Sequence, residues 1–240
     1  MSDLHNVFGD RGAGKSVFLV ANMSEIYFNR GRELLERSRR AIEKENLNRK
    51  TKLTPPSKVP IYCNFKCKIK NSDGSVYEPY AIKGSEIGIG DKYKKLYPCA
   101  VIVIDEAQDE FNSKKDIPRA VSAFFEKSRH GDFEIWLASQ RPILINKDIR
   151  DLSHHFIQIV ELEMDKAPFG IVCGLKWHCR EFTNRADVDE YVELSKHDKG
   201  KIISYKETLY EYGGEILDYY DSKQYLTDYL PNNGNDYESE

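Results

Sequence analysis

Gly9, Gly14, Lys15 and Ser16 stand within GDRGAGKS at the spacing G-x-x-x-x-G-K-[ST], close to the start of a 240-residue chain. That spacing suits phosphate chemistry. Glycines free the backbone to turn several N–H groups inward as an anion nest. A helix beginning at Lys15 would add about half a positive charge at its N-terminus. The expected cradle runs without a break through Gly9, Asp10, Arg11, Gly12, Ala13, Gly14, Lys15, Ser16 and Val17. Lys15 is expected to reach the β- and γ-phosphates of ATP, and the Ser16 hydroxyl to ligate Mg²⁺.

A phosphate cradle that hydrolyses its nucleotide needs an acid at the end of a buried strand. AVIVIDEAQ supplies one, since Asp105 follows five apolar residues directly and Glu106 comes next. Asp105 is expected to hold the Mg²⁺ shell, and Glu106 to polarise the water that attacks the γ-phosphate. Two adjacent acids at a buried strand end repel each other and lose hydration unless a cation lies nearby. EIWLASQ then places Gln140 at a third strand end, where an amide can bond both the γ-phosphate and the water. Upstream of it, Arg129 in EKSRHGD has two readings. It is either the cation closing a helix C-terminus, or an arginine inserted into a neighbour's nucleotide site. Arg141 and Arg150 are the other arginines considered for that insertion, while His130, His154 and His155 read as packing or capping residues.

The elements that must position these groups follow from pattern. Leu4 to Phe8 reads as a buried strand, and VFLVANMSEIYFNRG as a helix with Gly31 as its C-cap. ELLERSRRAIEKEN reads as a second, highly charged helix, and NRKTKLTPPSK as a loop around Pro55 and Pro56. Residues 59–65 read as a strand, and NSDG at 71–74 as the turn of a hairpin. AVIVI at 100–104 suits a strand covered on both faces. A helix is predicted from Pro118 to Arg129 with Gly131 past its end. Strands are predicted again at EIWLA and at HHFIQIVELE. Alternation of strand and helix argues for a mostly parallel, helix-covered α/β sheet. The expected division is an ATPase core over 1–165, a smaller β-rich extension of the same domain over 166–230, and a disordered acidic tail over 231–240.

Composition sets the wider frame. The mean hydropathy of −0.62 is that of an ordinary water-exposed globular chain. No run approaches the roughly 20 apolar residues of a membrane helix, and no signal pattern opens the chain, so a cytoplasmic location is the expectation. Five irregularly spaced cysteines do not form a disulfide framework. Net charge is −3, but thirteen Lys or Arg face four acids between Arg30 and Lys70. That stretch is either a solvated helix face or a surface for a polyanion.

GDRGAGKS, VIVIDEAQ and SRHGDFEIWLASQRP, in that order, resemble additional-strand P-loop ATPases with a catalytic glutamate. More narrowly they are similar to the N-terminal domain of zonular-occludens-toxin-like proteins, related to the FtsK/HerA-type DNA-pumping ATPases and including filamentous-phage assembly proteins. The resemblance spans roughly residues 3–160. It implies a central five-stranded sheet with the Gln140 strand between those of the phosphate loop and Asp105. It also implies a homo-oligomeric ring, ATP-driven movement of viral or plasmid DNA, and a capsid or portal-like viral protein as a partner. Filamentous-phage members carry a membrane-spanning segment that is not found in this sequence, which turns the expectation from export toward packaging or another intracellular DNA task.

Three rivals remain at this level. A GTPase would need N-K-x-D, and Asn146-Lys147-Asp148-Ile149 ends in isoleucine. A small-molecule kinase would need a mobile arginine-rich lid over the phosphates, for which residues 30–52 are a candidate. A zinc scaffold could draw on Cys63, Cys67, Cys173, His178 and Cys179, at spacings unlike common zinc motifs.

Overall fold

The structure, a computed structural model, describes residues 3–88, 95–128, 132–189, 191 and 204–225. The chain opens with β1 (Asp3–Phe8), a glycine-rich loop and α1 (Lys15–Asn46). β2 (Ile61–Cys63), β3 (Phe65–Cys67), β4 (Ile69–Lys70), β5 (Val76–Tyr77) and β6 (Tyr80–Ala81) are short. Then come β7 (Val101–Ile104), α2 (Ala107–Glu110), α3 (Arg119–Lys127), β8 (Glu134–Ser139) and α4 (Lys147–Asp151). Two long strands, β9 (His155–Lys166) and β10 (Val172–Phe182), precede β11 (Lys206–Gly213) and β12 (Tyr220–Tyr225).

Eight strands form one sheet in the order β11-β10-β9-β1-β8-β7-β2-β6. The run from β9 to β6 is parallel throughout, and β10 and β11 join antiparallel. The expected order of the phosphate-loop, Gln140 and Asp105 strands holds, as β8 lies between β1 and β7. The expected five strands are the run β9-β1-β8-β7-β2, and the sheet exceeds it by β6 at one edge and β10 and β11 at the other. Continuous apolar strands bury both faces. Val101 and Val103 of β7 join the α1-side core with Val7, Phe18 and Trp177. Ile102 and Ile104 join the opposite core with Ile135, Leu137, Phe124, Phe125 and Ile149.

Two expectations are corrected. The helix over residues 15–30 does not stop at Gly31, because α1 is a single helix of 32 residues. Gly31 is buried inside it, where a Cβ would approach Val59 Cγ2 to 3.3 Å. The glycine therefore admits the returning chain rather than capping a helix. The strand expected over 59–65 is interrupted at Asn64, which separates β2 from β3. The NSDG turn does join a hairpin, β4 to β5, with Gly74 at φ 81°. Arg129, His130 and Gly131 lie outside the described residues, as does the predicted acidic tail. Among the described residues no helix is long and apolar enough to cross a membrane.

Candidate nucleotide site

Parallel strands end together, so the residues following β1, β8 and β7 gather at one rim of the sheet. Phe8 pairs with Ser139 and Ile104 with Leu137, which sets the loop from Gly9, then Gln140, then Asp105 side by side. The loop has the special backbone its glycines allow. Gly12 and Gly14 sit at φ 85° and 81°, and Gly14 is the N-cap residue of α1. A Cβ on Gly9 would lie 2.8 Å from the Ile159 carbonyl oxygen, so the loop passes β9 too closely for any side chain. Within the loop the Ala13 N–H donates to Asp10 O at 3.2 Å. Asp10 and Arg11 are exposed, and Val17 is half-buried behind the first turn.

Lys15 is buried, and its ammonium donates to Gly9 O at 2.9 Å and Asp10 O at 3.0 Å. Both acceptors are neutral carbonyl oxygens of the loop itself. The Ser16 hydroxyl donates to Asp105 Oδ2 across 89 positions of sequence. The two halves of the expected site therefore meet at one point.

Asp105 is buried, and burial pushes its carboxyl above the usual carboxylate range against the opposing pull of Ser16 and the Glu106 N–H. Its other oxygen accepts from the Glu106 N–H at 2.9 Å. Glu106 adopts a left-handed backbone, φ 47° and ψ 45°, as the N-cap residue of α2. Non-glycine residues adopt that conformation at a cost, and such strain concentrates at functional sites. The turn aims the Glu106 side chain off the strand end, where its carboxylate accepts from Gln108 Nε2. Gln140 is exposed at the same rim.

Two residues of this site escaped the sequence reading. Asn64 clamps Asp105 by both backbone groups, donating from Nδ2 to Asp105 O and accepting the Asp105 N–H at Oδ1, each at 2.8 Å. The break between β2 and β3 is what frees Asn64 for that clamp, and nothing in the local pattern foretells a break inside an apolar run. Gln108, within AVIVIDEAQ, is the second, through its side-chain contact with Glu106. Its position two residues after Glu106, on the first turn of a helix, is the signal that could have found it.

The remaining candidates separate from the site. Arg150 points inward, with Nη1 3.4 Å from the carbonyls of Pro142 and Ile145, so it does not reach toward a neighbouring subunit. Arg141 is exposed. Residues 30–46 belong to α1, whose rise of about 1.5 Å per residue carries Arg30 roughly 20 Å from Lys15, so this part of the stretch is no lid over the phosphates. Many of its cations are paired, Arg30 with Glu134, Arg37 with Asp132, Arg40 with Glu36 and Arg49 with Glu45. Asn146 caps α4 by accepting the Asp148 N–H, and Ile149 is core, which gives the N-K-x-I stretch a structural use. The cysteines do not converge. Cys63 and Cys67 sulfurs lie 3.9 Å apart in the core, Cys173 is exposed, and His178 faces Glu163. Among the described residues no group of three or more His, Cys, Asp or Glu is arranged to hold a metal ion. His155 stacks on His5, which stacks on Trp136, and burial among these rings drops the His5 imidazole to about 3.

A parallel sheet with a glycine-rich loop after its first strand, and a further strand between that loop and the acid-bearing strand, is the P-loop NTPase fold in its additional-strand form. Among solved structures, the chain matches the N-terminal domain of zonular occludens toxin from Neisseria meningitidis at a TM-score of 0.50, covering 92% of this chain and 100% of that one. Sequence identity is 17%, so the likeness is one of fold. The genome packaging NTPase B204 from Sulfolobus turreted icosahedral virus 2, in complex with ATP-gammaS, superimposes at a TM-score of 0.41 with 12% identity over 87% of this chain and 96% of that one. B204 described as the DNA-packaging ATPase from Sulfolobus turreted icosahedral virus superimposes at 0.39 with 13% identity, over 89% and 93%. No protein family's sequence profile matches the chain. No curated protein matches it either.

Proposed function

We propose that the protein is a Mg²⁺-dependent ATPase that moves viral or plasmid DNA during virion assembly, working as a homo-oligomeric ring. The observation that carries the ATPase reading is the contact of the Ser16 hydroxyl with the buried Asp105 carboxylate. A hydroxyl and a carboxylate side by side are oxygen donors of the kind Mg²⁺ takes, and burial of Asp105 leaves its charge in want of a cation. Ser16 and Asp105 would hold that ion, which would neutralise negative charge on the phosphates.

The other residues act by position. Lys15 exchanges two carbonyl oxygens for phosphate oxygens, trading a neutral acceptor for an ionised one. Backbone N–H groups of the loop would line the cradle once the Ala13 N–H leaves Asp10 O, with the α1 dipole behind them. Glu106 accepts the proton of the attacking water, and Gln140 bonds that water or the γ-phosphate. Arg129 is the arginine proposed to enter a neighbour's site.

The DNA-moving part is supported by the order and spacing of the three stretches that resemble DNA-pumping ATPases. Basic residues between Arg30 and Lys70 would contact the phosphate backbone. A capsid or portal-like protein would receive the DNA, and the host cytoplasm is the proposed location.

Turnover of ATP, measured alone and with single- or double-stranded DNA, tests the whole proposal. Glu106→Gln should retain ATP and hydrolyse it about 10²–10⁴-fold more slowly. Lys15→Ala should lose nucleotide affinity. Unchanged ATP binding by Lys15→Ala removes the phosphate-loop reading, and turnover indifferent to both DNA forms removes the motor reading.

A further inference from the structure

Gly14 is pressed from outside by the strands that follow the nucleotide core. A Cβ there would lie 2.6 Å from Leu162 Cδ2 and 3.1 Å from Trp177 Nε1. Leu162 of β9 and Trp177 of β10 are register partners, with Tyr210 of β11 next in the same row. The Trp177 ring is fully buried, meeting Phe18 of α1 edge-on at 5.7 Å and Tyr212 at 5.8 Å. Gly14 and Phe18 are also joined directly, by the first backbone hydrogen bond of the helix, Phe18 N–H to Gly14 O at 2.9 Å. One indole thus touches both ends of the turn that carries Lys15 and Ser16.

The indole N–H is the unusual feature. It is buried and has no hydrogen-bond acceptor among the described residues. A tryptophan N–H is a donor only, and when buried it normally finds a partner. The loop beside it is meanwhile closed on itself, with the Lys15 ammonium on the carbonyls of Gly9 and Asp10.

We propose that Trp177 is a positioning residue of the phosphate loop, its indole N–H held ready for an oxygen acceptor that the loop presents once it carries a phosphate. This rests on the nucleotide reading of the site. When phosphate takes Lys15 from the two carbonyls, the loop re-forms around the anion. Trp177 holds Gly14 at its positive φ through that change and gains the bond it lacks. The strands beyond residue 165 thereby become part of the nucleotide site.

The chain has two tryptophans, Trp136 and Trp177. ATP with Mg²⁺ is titrated into the wild-type protein, Trp136→Phe and Trp177→Phe, with tryptophan emission and calorimetric Kd both recorded. Wild type and Trp136→Phe should show the same saturable emission change. Trp177→Phe should lose that change and bind ATP about three- to tenfold more weakly, the worth of one ordinary hydrogen bond. Unmoved emission of Trp136→Phe at saturating ATP, or wild-type affinity in Trp177→Phe, overturns the proposal. Should Trp177→Phe fail to fold, the emission of Trp136→Phe decides alone. Absence of calorimetric ATP binding by the wild type defeats the nucleotide reading and this proposal together, whereas binding with a silent Trp177 defeats this proposal only.

Discussion

Asp105 is the residue at which structure and chemistry make opposing demands. Its carboxyl is pushed up by burial, so the folded protein holds a proton there more tightly than the unfolded chain does. The stability this confers is complete below the ordinary aspartate range, about pH 4, and is lost as pH rises through the higher folded value. Ionising this buried carboxyl in the nucleotide-free protein therefore costs stability. Asp105→Asn removes that charge, while its amide oxygen can still accept the Glu106 N–H. Thermal melting at pH 7 without nucleotide should be no lower for Asp105→Asn than for wild type. Its melting temperature should also lack the wild-type fall as pH rises above the ordinary aspartate range. The stabilisation that ATP with Mg²⁺ gives the wild type should be absent in the variant. A nucleotide-free variant that melts well below wild type would show that the charge is held by partners rather than tolerated for a cation.

At the scale of elements, α1 does two jobs with one continuous helix. Its first turn presents Lys15 and Ser16 to the rim, and its next turns bury Phe18, Leu19, Met23 and Ile26 against the sheet. Continuity at Gly31 depends on the absence of a side chain where the chain returns past Val59. Glycine costs about 1 kcal/mol against alanine inside a helix, so its presence there answers to packing. Gly31→Leu should lower stability by about 1–3 kcal/mol through overpacking, read as a shift in the denaturant midpoint with nucleotide affinity retained. The acid-bearing element is held differently. β7 ends, Glu106 turns left-handed, and Asn64 grips the Asp105 backbone from the break after β2. Asn64→Ala should therefore weaken Mg²⁺-dependent ATP binding while leaving most of the sheet intact, measured by calorimetry and far-ultraviolet circular dichroism.

Across the whole molecule, the sheet does not end with the nucleotide core. β10 and β11 extend it beyond β9, and Leu175, Trp177 and Cys179 complete the core on the α1 side, with Tyr210 and Tyr212 packed against it. Tyr212 also donates to Glu25 of α1 at 2.8 Å. We infer that the described residues between 166 and 225 complete the P-loop domain rather than form a separable part. Removing one fully buried aromatic costs about 3–5 kcal/mol, against a total stability of roughly 5–15 kcal/mol for a domain. A chain ending at residue 165 should accordingly lose cooperative melting and be cut rapidly by protease throughout α1. A truncated chain that melts as sharply as the full one would refute the inference.

Much of the rim that gathers the glycine-rich loop, Asp105 and Gln140 was legible in the residue string, because it is written in short local patterns. GDRGAGKS after a strand, Asp105 and Glu106 after five apolar residues, and Gln140 after EIWLAS each state their own local geometry. The doubly covered parallel sheet is legible for the same reason, as unbroken apolar runs leave no polar face for water. What the string could not state were meetings between distant segments. Gly31 reads as a helix end until Val59 is seen to need its space. Asn64 is one polar residue in an apolar run until it is found gripping Asp105. Trp177 reads as one more residue of a β-rich tail until it is found against Gly14. Local preference is carried by neighbours in the chain, whereas close approach and buried hydrogen bonds belong to pairs brought together only by folding. The residue types and the loop were therefore set by sequence alone, while the clamp on Asp105 and the wall behind the loop were decided by tertiary packing.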